Sequence, residues 1–133
     1  MRVVLDTNVI VAAFAARGLC AEVFEVCVSG HSIVLSEHIL SETQDKLIKK
    51  VKLTKKAALA IIDYLRGIAE IVIPVLLDKS ICRDKDDVII IGTAISGLAN
   101  FIITGDEDLL ILKTYKDVKI VTPRQFWSSL RGQ

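Results

Sequence analysis

Short apolar runs that stop abruptly at polar side chains punctuate the chain, and two of them share one grammar. Val3-Val4-Leu5 breaks off into Asp6-Thr7-Asn8, and Phe101-Ile102-Ile103 breaks off into Thr104-Gly105-Asp106-Glu107-Asp108. Unbroken runs of this length, rich in β-branched residues, suit strands buried on both faces of a parallel sheet. Residues 32–35 and 119–121 read the same way. A run over 70–75 reads as a further strand, and its Pro74 predicts an edge position or the end of the pairing.

Helical periodicity fills the intervals. Thr7 or Asn8 is a suitable N-cap for a helix through Val9, Ile10, Val11 and Phe14, and a second helix ends near Gly30. Ser36 caps a third, with Ile39, Leu40, Thr43, Leu47 and Ile48 on one side and Glu42 close to that face. Thr54 caps a fourth, running to about Gly67. Residues 88–95 read as a buried helix whose β-branched side chains also admit a strand, closed by Gly97 or Asn100. A short helix over 109–112 and a last one opening at Pro123, bearing Phe126, Trp127 and Leu130, complete the pattern. The expected class is α/β, a single domain over 1–133.

Composition sharpens this picture. Hydrophobic residues make up 52% of the 133-residue chain and the mean hydropathy is +0.50, which fits a doubly covered sheet together with an apolar oligomer interface. A homodimer is therefore expected. No apolar stretch approaches the roughly 18 residues of a membrane span, and Asp6 and Asn8 interrupt any signal-peptide core, so the expected location is cytoplasmic, with no membrane partner. The net charge of +1 excludes a global field for nucleic acid, and any such surface has to be local. Six lysines at 46, 49, 50, 52, 55 and 56 supply one candidate. They form either the exposed face of a helix pair or a phosphate-binding rim, with Lys46, Lys49 and Lys50 as its RNA-binding members. Cys20, Cys27 and Cys82 lack zinc-ligand spacing, and His31 and His38 stand apart from other ligands in sequence and take no catalytic role.

The candidate chemistry rests on acids. A carboxylate just past a strand's carboxyl end points into the crevice where open α/β sheets bind ligands, although Asp6 by itself also fits a plain helix cap. Acids recur at two strand ends, Asp6 and Asp106, and at two helix positions, Glu42 and Asp87. Carboxylates gathered in a partly desolvated crevice repel one another unless a cation neutralises them. Mg²⁺ or Mn²⁺ suits an all-oxygen set and phosphate-bearing substrates.

The chain resembles PIN domains, in particular the small stand-alone VapC-like toxins of toxin–antitoxin pairs. The resemblance runs from Met1 to about Leu130. Its pieces are Leu-Asp-Thr-Asn at 5–8, Leu-Ser-Glu-Thr at 40–43, Arg-Asp-Lys-Asp-Asp at 83–87, Thr-Gly-Asp-Glu-Asp-Leu-Leu at 104–110 and Val-Thr-Pro-Arg-Gln-Phe at 121–126. It implies a three-layer fold with a central, mostly parallel sheet flanked by helices, and a ribonuclease dependent on Mg²⁺ or Mn²⁺. The implied catalytic acids are Asp6, Glu42, Asp87 and Asp106, with metal on Asp6, Asp87 and Asp106 and support from Asn8, Thr104 and Asp108. A cognate antitoxin is the implied protein partner. Lys85 departs from the pattern, standing where relatives often carry proline. Two rivals remain: a catalytically silent PIN-like module that binds RNA or protein, and a haloacid-dehalogenase-type phosphohydrolase. The latter needs a proton donor where this chain has Asn8.

Overall fold

The apolar runs assemble into one six-stranded sheet. Residues 1–131 are described by a computed structural model; 132 and 133, the end of the expected domain, lie outside the described residues. The strands are β1 (Arg2–Leu5), β2 (Ser32–Leu35), β3 (Ala69–Ile71), β4 (Phe101–Ile103), β5 (Thr114–Tyr115) and β6 (Val118–Val121). Their order is β3-β2-β1-β4-β6-β5, and every pair is parallel except β5 with β6. The helices are α1 (Thr7–Ala15), α2 (Leu19–Gly30), α3 (Glu37–Lys49), α4 (Lys55–Ile68), α5 (Lys85–Ser96), α6 (Glu107–Leu110) and α7 (Pro123–Arg131). A single 3-10 turn, Lys79–Ile81, precedes α5.

Topology dictates where a site belongs. The chain steps outward from β1 to β2 to β3 through α1–α4, then returns through α5 to β4 on the far side of β1. Because parallel crossovers are right-handed, reversing the direction of travel moves the connecting helix to the opposite face. The contacts agree: α1 packs on α2 and α3, and α3 on α4, whereas α5 lies against β1, β2 and β4. The three-layer α/β arrangement is therefore as expected. The reversal falls between β1 and β4, and such a switch point leaves a crevice beyond the strand ends. Asp6 and Asp106 follow those two strands.

The central strands are sealed on both sides, as their unbroken apolar runs require: Val3, Val4, Leu5, Val34, Leu35, Ile102 and Ile103 are fully buried. Two glycines let α5 come close. A Cβ on Gly97 would meet Val34 Cγ1 at 2.3 Å, and one on Gly92 would meet the Val75 carbonyl oxygen at 2.4 Å. The segment after β3 thus straps across α5, with Val75 N donating to Gly92 O at 3.1 Å.

The helix reading of 88–95 holds, with Asp84 as N-cap and Gly97 at its close. Other boundaries move. The strand expected over 70–75 pairs only over Ala69–Ile71 at the sheet edge, and leaves the ladder before Pro74. The short helix expected at 109–112 starts at Glu107, because Asp106 caps it. The cap of α1 is Asp6, not Thr7 or Asn8. Strand β5 is not foreseen: its hairpin turns through Lys116 at φ 51°, a conformation for which Asn or Gly is the usual sequence signal. Among the described residues, no helix is long and apolar enough to cross a membrane.

Candidate active site

Three helices begin at the switch-point crevice, and each begins on an aspartate. Asp6 caps α1, Asp84 caps α5 and Asp106 caps α6. Capping is therefore no alternative to a place in the site; it is what holds these carboxylates there. Short connections aim them, since Asp6 directly follows β1 and Asp106 lies three residues past β4. The ladder also continues to the tips, where Asp6 N donates to Ile103 O at 3.0 Å and Thr104 N to Val121 O at 2.9 Å.

Thr104 ties the two strand ends together. Its hydroxyl donates to Asp6 Oδ2 at 2.7 Å and accepts from Asp106 N at 3.0 Å, while Asp6 Oδ1 accepts from Thr7 N at 2.7 Å. Both oxygens of Asp6 are thus oriented. Asp106 Oδ1 in turn accepts from Asp108 N at 2.9 Å. Asp87, in the first turn of α5, completes the group from the opposite helical layer. Carboxylate oxygens of Asp87, Asp106 and Asp108 lie within 4.8 Å of one another.

This convergence is electrostatically expensive. Asp6 and Asp87 are only 7% and 4% exposed, and Asp87 Oδ2 is buried without a hydrogen-bond partner. Burial, reinforced by the facing carboxylate of Asp106 and then by Asp84 and Asp6, pushes the Asp87 carboxyl up to about 7. Asp6 is raised too, chiefly by burial, with its Thr104 and Thr7 hydrogen bonds opposing the shift. An oxygen-only set containing an orphaned, buried carboxylate oxygen fits a hard divalent cation such as Mg²⁺ or Mn²⁺.

Glu42 stands apart from this group. It reaches the crevice through Thr7, whose hydroxyl donates to Glu42 Oε1 at 3.3 Å, and its other neighbours are His38 and Asp86. His38 Nε2 lies 3.3 Å from Glu42 Oε1 and 3.1 Å from Asp86 Oδ1. Burial and the Asp86 charge raise the Glu42 carboxyl. On sequence grounds His38 takes no part, yet a signal exists: four residues before Glu42 on one helix is the same face. Among the described residues the Asn8 side chain bonds to a lysine. Its Oδ1 accepts from Lys46 Nζ at 2.8 Å, which brings Lys46 to the rim. Lys49 and Lys50 join Lys46, Glu42 and Asp45 around a shallow depression of about 220 Å³. On the other flank, Arg83 Nη2 approaches Asp108 Oδ2 at 3.9 Å, a neighbour not singled out in the sequence.

A family model described as the PIN domain matches residues 2–108, most of the chain and every acid named above. The chain belongs to the PIN-domain family. Solved structures share the PIN fold over nearly its full length. One is VapBC2 from Rickettsia felis bound to a DNA fragment from its promoter, with 16% identity, 92% of this chain and 98% of that chain covered, and a TM-score of 0.62. Another is VapBC-1 from nontypeable Haemophilus influenzae, with 16% identity, 93% and 99% covered, and a TM-score of 0.62. At that identity the likeness is one of fold. No curated protein sequence matches this PIN domain.

Proposed function

We propose that this PIN domain is a divalent-metal-dependent ribonuclease acting in the cytoplasm as the toxin of a toxin–antitoxin pair. The observation that carries the reading is the meeting of Asp6, Asp87, Asp106 and Asp108 at the switch point, with one buried carboxylate oxygen unpartnered. Membership of the PIN family and the fold shared with two VapBC assemblies support it.

In this reading Asp6, Asp87 and Asp106 hold Mg²⁺ or Mn²⁺, and Asp108 assists. When bound, the cation neutralises charge on the phosphoryl group and lowers the pKa of a coordinated water. The chain's own residues do the rest. Thr104 keeps Asp6 from rotating, and Glu42, held by Thr7 and His38, orients the attacking water. Lys46, Lys49 and Lys50 neutralise backbone phosphates on approach. Hydrolysis then leaves 5′-phosphate and 3′-hydroxyl ends. The test is incubation of the purified protein with labelled single-stranded RNA. Cleavage that needs Mg²⁺ or Mn²⁺ and stops in chelator is expected, and unchanged cleavage in chelator rejects the mechanism.

A homodimer and an antitoxin partner belong to the same proposal. Ile73 and Leu76 on the strap are 87% and 97% exposed, beside an apolar groove of about 500 Å³ floored by Val88 and Ile89. A surface of that kind calls for a covering partner. Light scattering should return the mass of a dimer, and a monomer throughout the micromolar range argues against self-association.

A further inference from the structure

Resting on the ribonuclease reading, we infer that Arg83 is a further phosphate-binding residue, gripping the RNA backbone on the flank of the crevice opposite Lys46. The acids that do chemistry also repel the substrate. An RNA strand crossing the sheet's carboxyl edge therefore needs cations on both sides of them. One side is supplied by α3, whose Lys46 is held over the crevice by Asn8. The other side belongs to the layer of α5, and there Arg83 and Lys85 border a wide-open surface depression with Asp84, Asp86 and Asp108.

Arg83 is placed for this and for little else. Its side chain is 88% exposed, so the fold does not depend on packing it. Its one ion-pair neighbour among the described residues is Asp108, at 3.9 Å, beyond hydrogen-bond range and worth little at such exposure. Asp108 belongs to the same group of oxygens as Asp87 and Asp106, so the guanidinium stands one carboxylate away from them. A planar guanidinium pairs with two oxygens of a phosphodiester at once, whereas the ammonium of Lys85 acts as a point charge. RNA would thus lie from the Lys46 side, over the tips of β1 and β4, to the Arg83 side. The phosphate beside the scissile one rests on Arg83.

The test uses a fluorescent 20-nucleotide single-stranded RNA of mixed sequence and the full chain. Wild type and Arg83→Ala are compared for kcat and KM across a monovalent salt series. Binding is measured by anisotropy in an Asp87→Asn background, and Mn²⁺ affinity by calorimetry. Expected for Arg83→Ala are a KM raised about tenfold, a salt slope of log affinity shallower by about 0.7, and unchanged Mn²⁺ affinity. Arg83→Lys should restore the salt slope but only part of the affinity. If Arg83 merely neutralises Asp108, its substitution becomes silent in an Asp108→Asn protein, and that result overturns the assignment. So does an unchanged KM and slope in Arg83→Ala when wild type cleaves. Failure of wild type to bind or cleave any RNA instead rejects the ribonuclease reading itself.

Discussion

Asp87→Asn and Asp6→Asn proteins should each lose RNA cleavage by about 10²–10³-fold, the scale set by removing one well-placed electrostatic group from an active site. Each substitution keeps side-chain size and withdraws one anionic oxygen, so calorimetric titration with Mn²⁺ should show the affinity falling in step. Their stabilities should diverge. Asp87 has a buried oxygen without a partner and a carboxyl raised to about 7, so between about pH 4 and 7 the folded state holds a proton that the unfolded chain releases. Stability without metal therefore falls as pH rises through that window, at up to about 1.4 kcal/mol per pH unit. The Asp87→Asn change weakens this dependence, leaving what the raised carboxyls of Asp6 and Glu42 contribute, and that protein should melt higher than wild type in chelator at neutral pH. Asp6 differs because Thr7 N and the Thr104 hydroxyl each use one of its oxygens. An amide serves one of those donors and opposes the other, so Asp6→Asn gains less from relief of repulsion. Thermal melts in chelator from pH 5 to 8 separate the two cases. Wild-type cleavage by both variants would remove these acids from the mechanism.

Gly97→Ala should be the most damaging single-methyl change in the fold. The new Cβ would fall 2.3 Å from Cγ1 of Val34, a fully buried, stiff side chain in a central strand with nowhere to turn. Overpacking of this kind costs about 1–3 kcal/mol. Activity should fall as well, because α5 carries Asp87 at its other end. Gly92→Ala provides the contrast. It also gains helix propensity, about 1 kcal/mol over glycine, but drives the methyl against Val75 O at 2.4 Å. The strap it pushes carries the exposed Ile73 and Leu76 and can lift away, so the net loss should be smaller. Chemical denaturation of the two variants gives the comparison directly, and equal losses would mean that the strap is as firmly held as the core.

Asp6 and Asp106 are legible in the sequence because each follows an apolar run, and a parallel strand ends where its burial ends. Helix α5 is harder, since its β-branched residues suit a strand; length and the small residues at 92, 94, 96 and 97 favour the helix that forms. What escapes the sequence is whatever depends on side chains meeting across layers. His38 meets Asp86 only because α3 and α5 reach the crevice from opposite sides, and Arg83 meets Asp108 only because α6 turns back at Asp106. Asn8 is expected to support the acids, and in the structure its Oδ1 accepts from Lys46 Nζ, a contact between α1 and α3 that no sequence spacing announces.

The two ends of the sheet carry a consequence for a chain this apolar. Its outermost strands are short, three residues in β3 and two in β5, and Pro74 lies just beyond β3. An intruding strand would find almost no row of free amides and carbonyls to zip onto, so fibre-like stacking is discouraged despite the oily interior. Whatever company the molecule keeps has to be made by side chains on its helices and loops, where fit can discriminate between partners and a bare backbone edge cannot.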